Sequence, residues 1–154
     1  MTQVELLQDP GDEDRWVLPG VGSFLRTGRV SRAATAEAGG RRWSIKRVGL
    51  VRAGFTASDE TGAVVGEIRN RISGRNDRLR WAGRDLRLVD DGPRLWGYAL
   101  YDGEHRLALM TPKRRGKRQL DVVIEDPSVD PGLLLFQAFI VQAYEDDASF
   151  PPAE

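Results

Sequence analysis

The chain has no cysteine and only one histidine among its 154 residues. Without thiols it can form neither a disulfide nor a thiolate metal site. The single imidazole, His105, is predicted to lie on the surface of a strand beside a turn rather than in a Ser-His-Asp arrangement. The acidic clusters lack the ligand order of a calcium loop. We therefore expect no metal, no cofactor and no catalytic residue, and an enzymatic function is disfavoured.

The sequence predicts neither a signal peptide nor a membrane-spanning segment. Its first ten residues have neither a basic start nor an apolar core, which favours the cytoplasm, with peripheral attachment to a membrane as a further option. The longest apolar run covers residues 133–144 and would form a helix of about 18 Å at ~1.5 Å per residue. Because a spanning helix needs ~20 apolar residues, this run is predicted to be a buried core helix instead.

Only Gln137 and Gln142 interrupt the apolar run, so its helix would be apolar on nearly every side. Asp130 is suited to cap the first amides, and Pro131 suits the first helical position. The acidic triplet at residues 145–147 stands where the helix dipole disfavours negative charge. We therefore predict a central helix over residues 131–146, with the charges of the triplet in solvent at its end and an acidic tail over residues 147–154.

Short segments in which apolar and polar residues alternate come before this helix, separated by turn residues. This period of two is typical of half-buried strands, and the regular spacing indicates an antiparallel meander. In residues 1–40 we predict two strands, at 15–18 and 29–37, and loops at 10–14 and 19–22. Later strands are predicted at residues 43–48, 50–57, 63–69, 78–81, 85–88, 94–101, 105–111 and 119–125.

A barrel closed around the helix combines these two patterns in one domain covering residues 1–154. A helix with its side chains is ~10–12 Å across, whereas a barrel of about eight strands is filled by its own side chains. Enclosing a helix takes more strands, as in cans of about eleven. The predicted fold class is mainly β: a closed antiparallel barrel of about twelve strands around a buried apolar C-terminal helix.

Three segments, at residues 97–103, 119–125 and 130–144, carry a family resemblance. A meander of strands that ends in an Asp-Pro-Gly turn and an apolar helix resembles the tubby C-terminal-like superfamily, in its LURP-one-related and phospholipid scramblase-like branch. The resemblance covers about residues 40–146 and implies a twelve-stranded barrel with the helix along its axis. It also implies binding, because tubby domains dock on phosphoinositide head groups and scramblases are membrane-associated. The absence of cysteine, which scramblases carry as palmitoylation sites, disfavours scrambling activity.

The net charge of zero hides a strong asymmetry along the chain. Residues 41–118 carry 19 basic and 9 acidic groups, whereas residues 119–154 carry no basic group and 8 acidic ones. One interpretation is an anionic partner for the basic middle: phospholipid head groups, nucleic acid or an acidic protein. The other is that the acidic segment folds back beside the basic part and neutralises it.

The candidate binding site is the basic cluster on the loop between the last two predicted strands. It consists of Lys113, Arg114, Arg115, Lys117 and Arg118. Crowded cations repel one another, and phosphates or anionic lipids would relieve that repulsion. A second basic group flanks a turn and consists of Arg69, Arg71, Arg75, Arg78, Arg80 and Arg84.

Nucleic acid is disfavoured as the partner, because single-strand binders interleave aromatic residues with cations. Trp81 is near Arg78, but strand parity places its ring inside with Leu79. The sequence therefore predicts a binding module for an anionic surface, either a phospholipid head group or an acidic partner. The alternative is a protein-interaction scaffold without lipid affinity.

Overall fold

The computed structural model describes residues 1–27, 33–48, 54–69, 76–90, 97–114 and 118–148. Twelve antiparallel strands form a closed barrel in which each strand pairs with its neighbours in sequence and the first pairs with the last. The elements are β1 Thr2–Asp9, β2 Asp12–Leu18, β3 Gly22–Thr27, β4 Ala33–Ala38, β5 Arg41–Val48, β6 Gly54–Ser58, β7 Val64–Arg69, β8 Asn76–Trp81, β9 Arg84–Asp90, β10 Tyr98–Asp102, β11 His105–Pro112, β12 Leu120–Ile124 and α1 Pro131–Ala148. The predicted fold class is confirmed.

The alternation of side chains along the strands gives the barrel an apolar interior and a polar exterior. On β8, Leu79 and Trp81 are buried while Arg78 and Arg80 are exposed, as the sequence parity predicts. At the closing seam, Val4 pairs with Val122 and Leu6 with Leu120. This closure leaves none of the twelve strands with an unpaired edge.

The helix α1 fills the barrel interior. Residues 133–143 are all buried, and Phe139 packs edge-on against Phe24 and Phe55 at ring-centroid distances of 6.0 and 5.2 Å. Where the walls come closest, glycine is required: a Cβ on Gly66 or Gly132 would stand 2.5 Å from the ring of Trp81 or Trp43, respectively. In the part of the chain that is described, no helix combines the length and the apolar character needed to cross a membrane.

Asp130 caps the helix as predicted. Its carboxylate accepts hydrogen bonds from the Gly132 amide at 2.9 Å and from Trp81 Nε1 at 3.1 Å, and it pairs with Arg41 at 3.1 Å. Burial acts to raise the pKa of Asp130, but these donors outweigh it and hold the pKa below its usual range. The capping residue thus also ties the start of the helix to two strands of the wall.

The predicted end of the helix is wrong. The helix continues through the acidic triplet to Ala148. Glu145 is only 2% exposed and accepts a hydrogen bond from the Tyr98 hydroxyl at 3.1 Å. Asp146 is paired with Arg26 and Arg118. Cations from the wall and from the strand connections therefore offset the unfavourable helix dipole, a compensation that local sequence does not reveal.

The N-terminal third contributes four strands, where two were predicted. Strand β1 was not predicted, and residues 12–14 of the predicted first loop belong to β2. In β3 the adjacent residues Phe24 and Leu25 break the alternation in the sequence. Of the predicted strands, residues 29–32, 50–53 and 94–96 lie outside the described part of the chain, as do Arg71 and Arg75 of the second basic group. Four N-terminal strands bring the total to the twelve that the resemblance implies.

The strand order defines two ends of the barrel, which we name after the helix. At the entry end α1 begins, and the connections β2–β3, β4–β5, β6–β7, β8–β9 and β10–β11 join their strands. At the exit end α1 finishes, and the described strand ends that the other six connecting segments join lie at the same end. Gln142 of the helix donates to the Arg118 carbonyl at 2.9 Å, which fixes the helix C-terminus at the exit end.

A substitution at Ala138, which is fully buried inside the barrel, tests whether the helix is enclosed. We expect Ala138→Arg to abolish folding: an unpaired charge there loses several kcal/mol, comparable with a total stability of ~5–15 kcal/mol. The matched control is Val64→Arg on the outer wall, where Val64 is 59% exposed. Thermal melting followed by circular dichroism checks both variants, and a cooperative, near-normal transition for Ala138→Arg would contradict the enclosure.

Candidate anion-binding surface

The sequence distributes charge unevenly between the segments that join the strands at the two ends of the barrel. The segments that join strands whose described ends lie at the exit end, residues 10–11, 28–32, 49–53, 70–75, 91–97 and 113–119, contain 11 basic residues and one acidic residue in the sequence. Of these, Lys113, Arg114 and Arg118 lie in the described part of the chain. The entry-end turns and the segment leading into the helix, at residues 19–21, 39–40, 59–63, 82–83, 103–104 and 125–130, contain 6 acidic residues and no basic residue. This polarity matches the helix dipole, whose positive N-terminus lies at the acidic end and whose negative C-terminus lies at the basic end.

The predicted basic cluster lies at the exit end, between β11 and β12, but its members differ in their environments. Lys113 Nζ contacts Glu5 at 2.5 Å and Asp121 at 3.4 Å. The hydrogen bond to Glu5 is the main cause that raises the pKa of Lys113. Lys113 is therefore already held by two carboxylates of neighbouring strands.

The other four cations of the cluster divide into three cases. Arg118 holds Asp146 through two hydrogen bonds of 3.0 and 3.2 Å. Arg114 is exposed and forms no ion pair with the residues that the structure describes. Arg115 and Lys117 lie outside the described residues. Of the predicted cluster, Arg114 is thus the described cation that an external anion would reach without displacing a carboxylate.

Beneath this loop, polar side chains occupy the mouth of the barrel at the exit end. Arg26 points inward from β3 over the Phe139 ring, at 5.2 Å from its centroid. Its guanidinium donates to Gln142 Oε1 at 2.8 Å and to Asp146 at 3.2 Å. The side chain of Arg26 is only 10% exposed, so the carboxylate of Asp146 neutralises a cation that is nearly removed from water.

Two buried carboxylates complete the mouth on its other side. Asp77 is 3% exposed and accepts a hydrogen bond from the Tyr144 hydroxyl at 2.6 Å. The Tyr144 ring packs against Tyr98, which donates to Glu145. Sequence reasoning missed this network; its available signal was the pair of glutamines that break an otherwise apolar helix.

The acidic C-terminal segment does neutralise part of the basic middle. Among the described residues, ion pairs that join the two regions include Arg41–Asp130, Arg106–Glu125, Lys113–Asp121 and Arg118–Asp146. The Arg106 fork contacts Glu125 at 2.5 and 2.6 Å, and its hydrogen bonds lower the pKa of Glu125. The cations that remain available to a partner are therefore fewer than the sequence count suggests.

His105 stands at the start of β11 with an exposed side chain, as predicted. Its Nε2 contacts one oxygen of Asp126 at 3.0 Å, while the Ser128 hydroxyl donates to the other oxygen at 2.6 Å. Hydrogen bonds from Ser128 and then from His105 lower the pKa of Asp126 to about 2. The carboxylate lies between the hydroxyl and the imidazole, so these three residues lack the order of a Ser-His-Asp triad.

A surface cleft at the entry end carries both signs of charge. Its lining includes Glu37, Gly40, Arg42 and Glu60, and Arg42 pairs with Glu37 at 2.8 Å. Because its cations and carboxylates compensate each other, this cleft is not a second anion site. Among the described residues no group of three or more histidine, aspartate or glutamate side chains is placed to hold a metal ion.

Comparison of the chain with family models, with curated proteins and with solved structures gives no match. The architecture nevertheless defines the class of protein: a closed twelve-stranded antiparallel barrel with a helix in its interior. Membership of the tubby C-terminal-like superfamily stays a prediction from the sequence pattern.

The pair between Arg26 and Asp146 is expected to contribute to stability, because both side chains are mostly buried, at 10% and 18% exposure. We expect Asp146→Asn to lower the free energy of unfolding by about 2 kcal/mol, since Arg26, which is nearly removed from water, loses the charge of a carboxylate partner. Asp102→Asn is the control, because Asp102 pairs with Arg84 at the exposed surface, where a loss below about 1 kcal/mol is expected. Urea denaturation measures both, and equal losses would refute the burial argument.

Proposed function

We propose that this protein is a binding module that places its exit end against an anionic phospholipid surface. The observation that supports the proposal is the sequence of the segments that join strands at the exit end, which contain 11 basic residues and one acidic residue, with Lys113, Arg114 and Arg118 among the described residues. Juxtamembrane cations contribute ~1 kcal/mol each near an anionic leaflet, so several acting together give measurable affinity. In the described part of the chain the helix fills the interior, where residues 133–143 are all buried.

The contacts within the basic cluster sharpen this proposal. Lys113 and Arg118 hold carboxylates of the protein itself, so their charges are largely satisfied before a partner arrives. Arg114, Arg115 and Lys117 are then the members of the cluster on which binding depends. The proposal needs no deep pocket, since anionic head groups are attracted to an exposed basic surface by charge alone.

A protein-interaction scaffold without lipid affinity is the second candidate. Its specific support is the set of ion pairs among the described residues through which the acidic C-terminal segment neutralises part of the basic middle. In that case the charge asymmetry serves the fold itself, and the exit-end cations balance the C-terminus of the helix. The two candidates differ in whether binding depends on the lipid charge.

Co-sedimentation with vesicles separates these candidates. We expect the wild-type protein to pellet with phosphatidylserine-rich vesicles and to stay in solution with neutral phosphatidylcholine vesicles. Changing Arg114, Arg115 and Lys117 together to alanine removes ~3 kcal/mol of attraction, so partitioning onto acidic vesicles should fall roughly 100-fold.

The matched control changes Arg42, Arg80 and Arg84 to alanine. This variant alters the net charge equally, but these arginines lie near the entry end and pair with Glu37, Asp85 and Asp102. We expect it to pellet like the wild type. Equal pelleting of the wild type on acidic and neutral vesicles would overturn the lipid proposal and leave the scaffold.

A further inference from the structure

A row of four arginines and one tyrosine crosses the outer wall of the barrel on five adjacent strands. Ile68 pairs with Leu79, so the next positions along β7 and β8 place Arg69 beside Arg78. The same row continues through Arg87 on β9, Tyr101 on β10 and Arg106 on β11, by direct register at each step. At ~4.8 Å between strands, the row is about 19 Å long. We call it the arginine–tyrosine row.

The centre of this row is electrostatically unfavourable in the isolated protein. Arg78 and Arg87 stand directly opposite each other, and like charges at opposed positions destabilise an antiparallel pair. Arg69 and Arg78 are exposed and form no ion pair with any described residue. Asp85 pairs with Arg80 at 3.4 Å, and Glu67 stands opposite Arg80 in the strand register.

Tyr101 supplies an aromatic ring within the row of cations. The Arg87 guanidinium lies over this ring at 5.6 Å from its centroid and donates to the Gly103 carbonyl at 2.9 Å. These two contacts hold a planar cation over the face of an aromatic ring at the surface. Trp81 is buried as the sequence predicts, but the aromatic partner that the nucleic-acid interpretation lacked comes from a strand 20 residues further along the chain.

We propose that the arginine–tyrosine row is a binding surface for single-stranded nucleic acid. Unpaired arginine forks bind phosphate oxygens, and the Arg87–Tyr101 stack offers faces on which a base can pack. A stacked strand advances ~3.4 Å per nucleotide, so a row of about 19 Å accommodates about five nucleotides. None of the residues in this row belongs to the basic cluster at residues 113–118, and the proposal does not depend on the proposed lipid binding.

The direction of the row favours a flexible polymer over a membrane. The row runs from strand to strand around the convex wall and covers five of the twelve strands. A flat bilayer touching a convex wall would reach only part of such an arc, whereas a single strand can follow it. An acidic polypeptide could also follow the arc, but its carboxylates would make no use of the stacked ring, and this difference can be measured.

Fluorescence anisotropy with a labelled single strand of about 20 nucleotides, at about 50 mM salt, tests the proposal. We expect Arg69→Gln combined with Arg78→Gln to weaken binding at least tenfold and to reduce the slope of log K against log salt by about 1.4, at ~0.7 per phosphate contact. Tyr101→Ala should weaken binding by about fivefold or more without a change in charge, because it removes the stacking surface.

Two controls keep the result specific. Arg42→Gln combined with Arg84→Gln removes the same number of positive charges as the Arg69/Arg78 variant, but from arginines that already pair with carboxylates. We expect this control variant to bind the single strand with unchanged affinity. Thermal melting should show the Arg69/Arg78 variant folded and at least as stable as the wild type, since like-charge repulsion is relieved.

Three outcomes would overturn the proposal. These are no binding of the single strand by the wild type, an equal loss in the control double variant, and equally strong binding of polyglutamate with no effect of Tyr101→Ala. The last result would assign the row to acidic polypeptides. The Arg114/Arg115/Lys117 alanine variant should bind the single strand as the wild type does, so failure of the lipid proposal and failure of this one give different results.

Discussion

The burial of α1 on every side is the constraint from which the rest of this structure follows. A helix with an apolar surface all round needs a complete apolar enclosure, and a barrel of about eight strands has no room for one. Twelve strands give the necessary width, and closure of β1 on β12 removes the last free edge. Gly132 of the helix lies so close to Trp43 of the wall, and Gly66 of the wall so close to Trp81 on the next strand, that neither position has space for a side chain. Because the interior is filled in this way, binding functions are left to the ends and the outer wall.

The polar groups of the helix fix its rotation and depth inside the barrel, which the burial of apolar surface alone does not do. A helix that is apolar all round has little preference for one rotation about its axis inside an apolar barrel. Gln137 donates to the Tyr98 carbonyl at 3.2 Å, and Gln142 donates to the Arg118 carbonyl at 2.9 Å. Together with the Asp130 cap and the Asp146 pairs, these bonds select one rotation and one depth. The residues that interrupt the apolar pattern therefore specify the geometry that the apolar residues stabilise.

The sequence predicts the enclosure well, because alternation along strands and the absence of a polar face on the helix are local patterns. It predicts the ends of elements less well, because these depend on distant residues. Glu145 and Asp146 lie within the helix, where Tyr98, Arg26 and Arg118 reach their carboxylates from distant parts of the chain. The two candidate surfaces differ in the same way, since one is a local pattern and the other depends on residues that are distant in the sequence. The basic run at residues 113–118 is visible in the sequence, whereas the row from Arg69 to Arg106 exists only through strand register.

The closing pair of strands also constrains the order in which this domain can acquire structure. The strand β1 pairs with β12, and α1 follows every strand in the chain. During synthesis the hairpins can form one after another, but each exposes an apolar face until α1 has left the ribosome. Pairing over such a sequence distance is slow, and exposed apolar strands are prone to aggregate while they wait. The charged outer wall, with its many arginines, would then act first as a solubilising surface for an unfinished sheet.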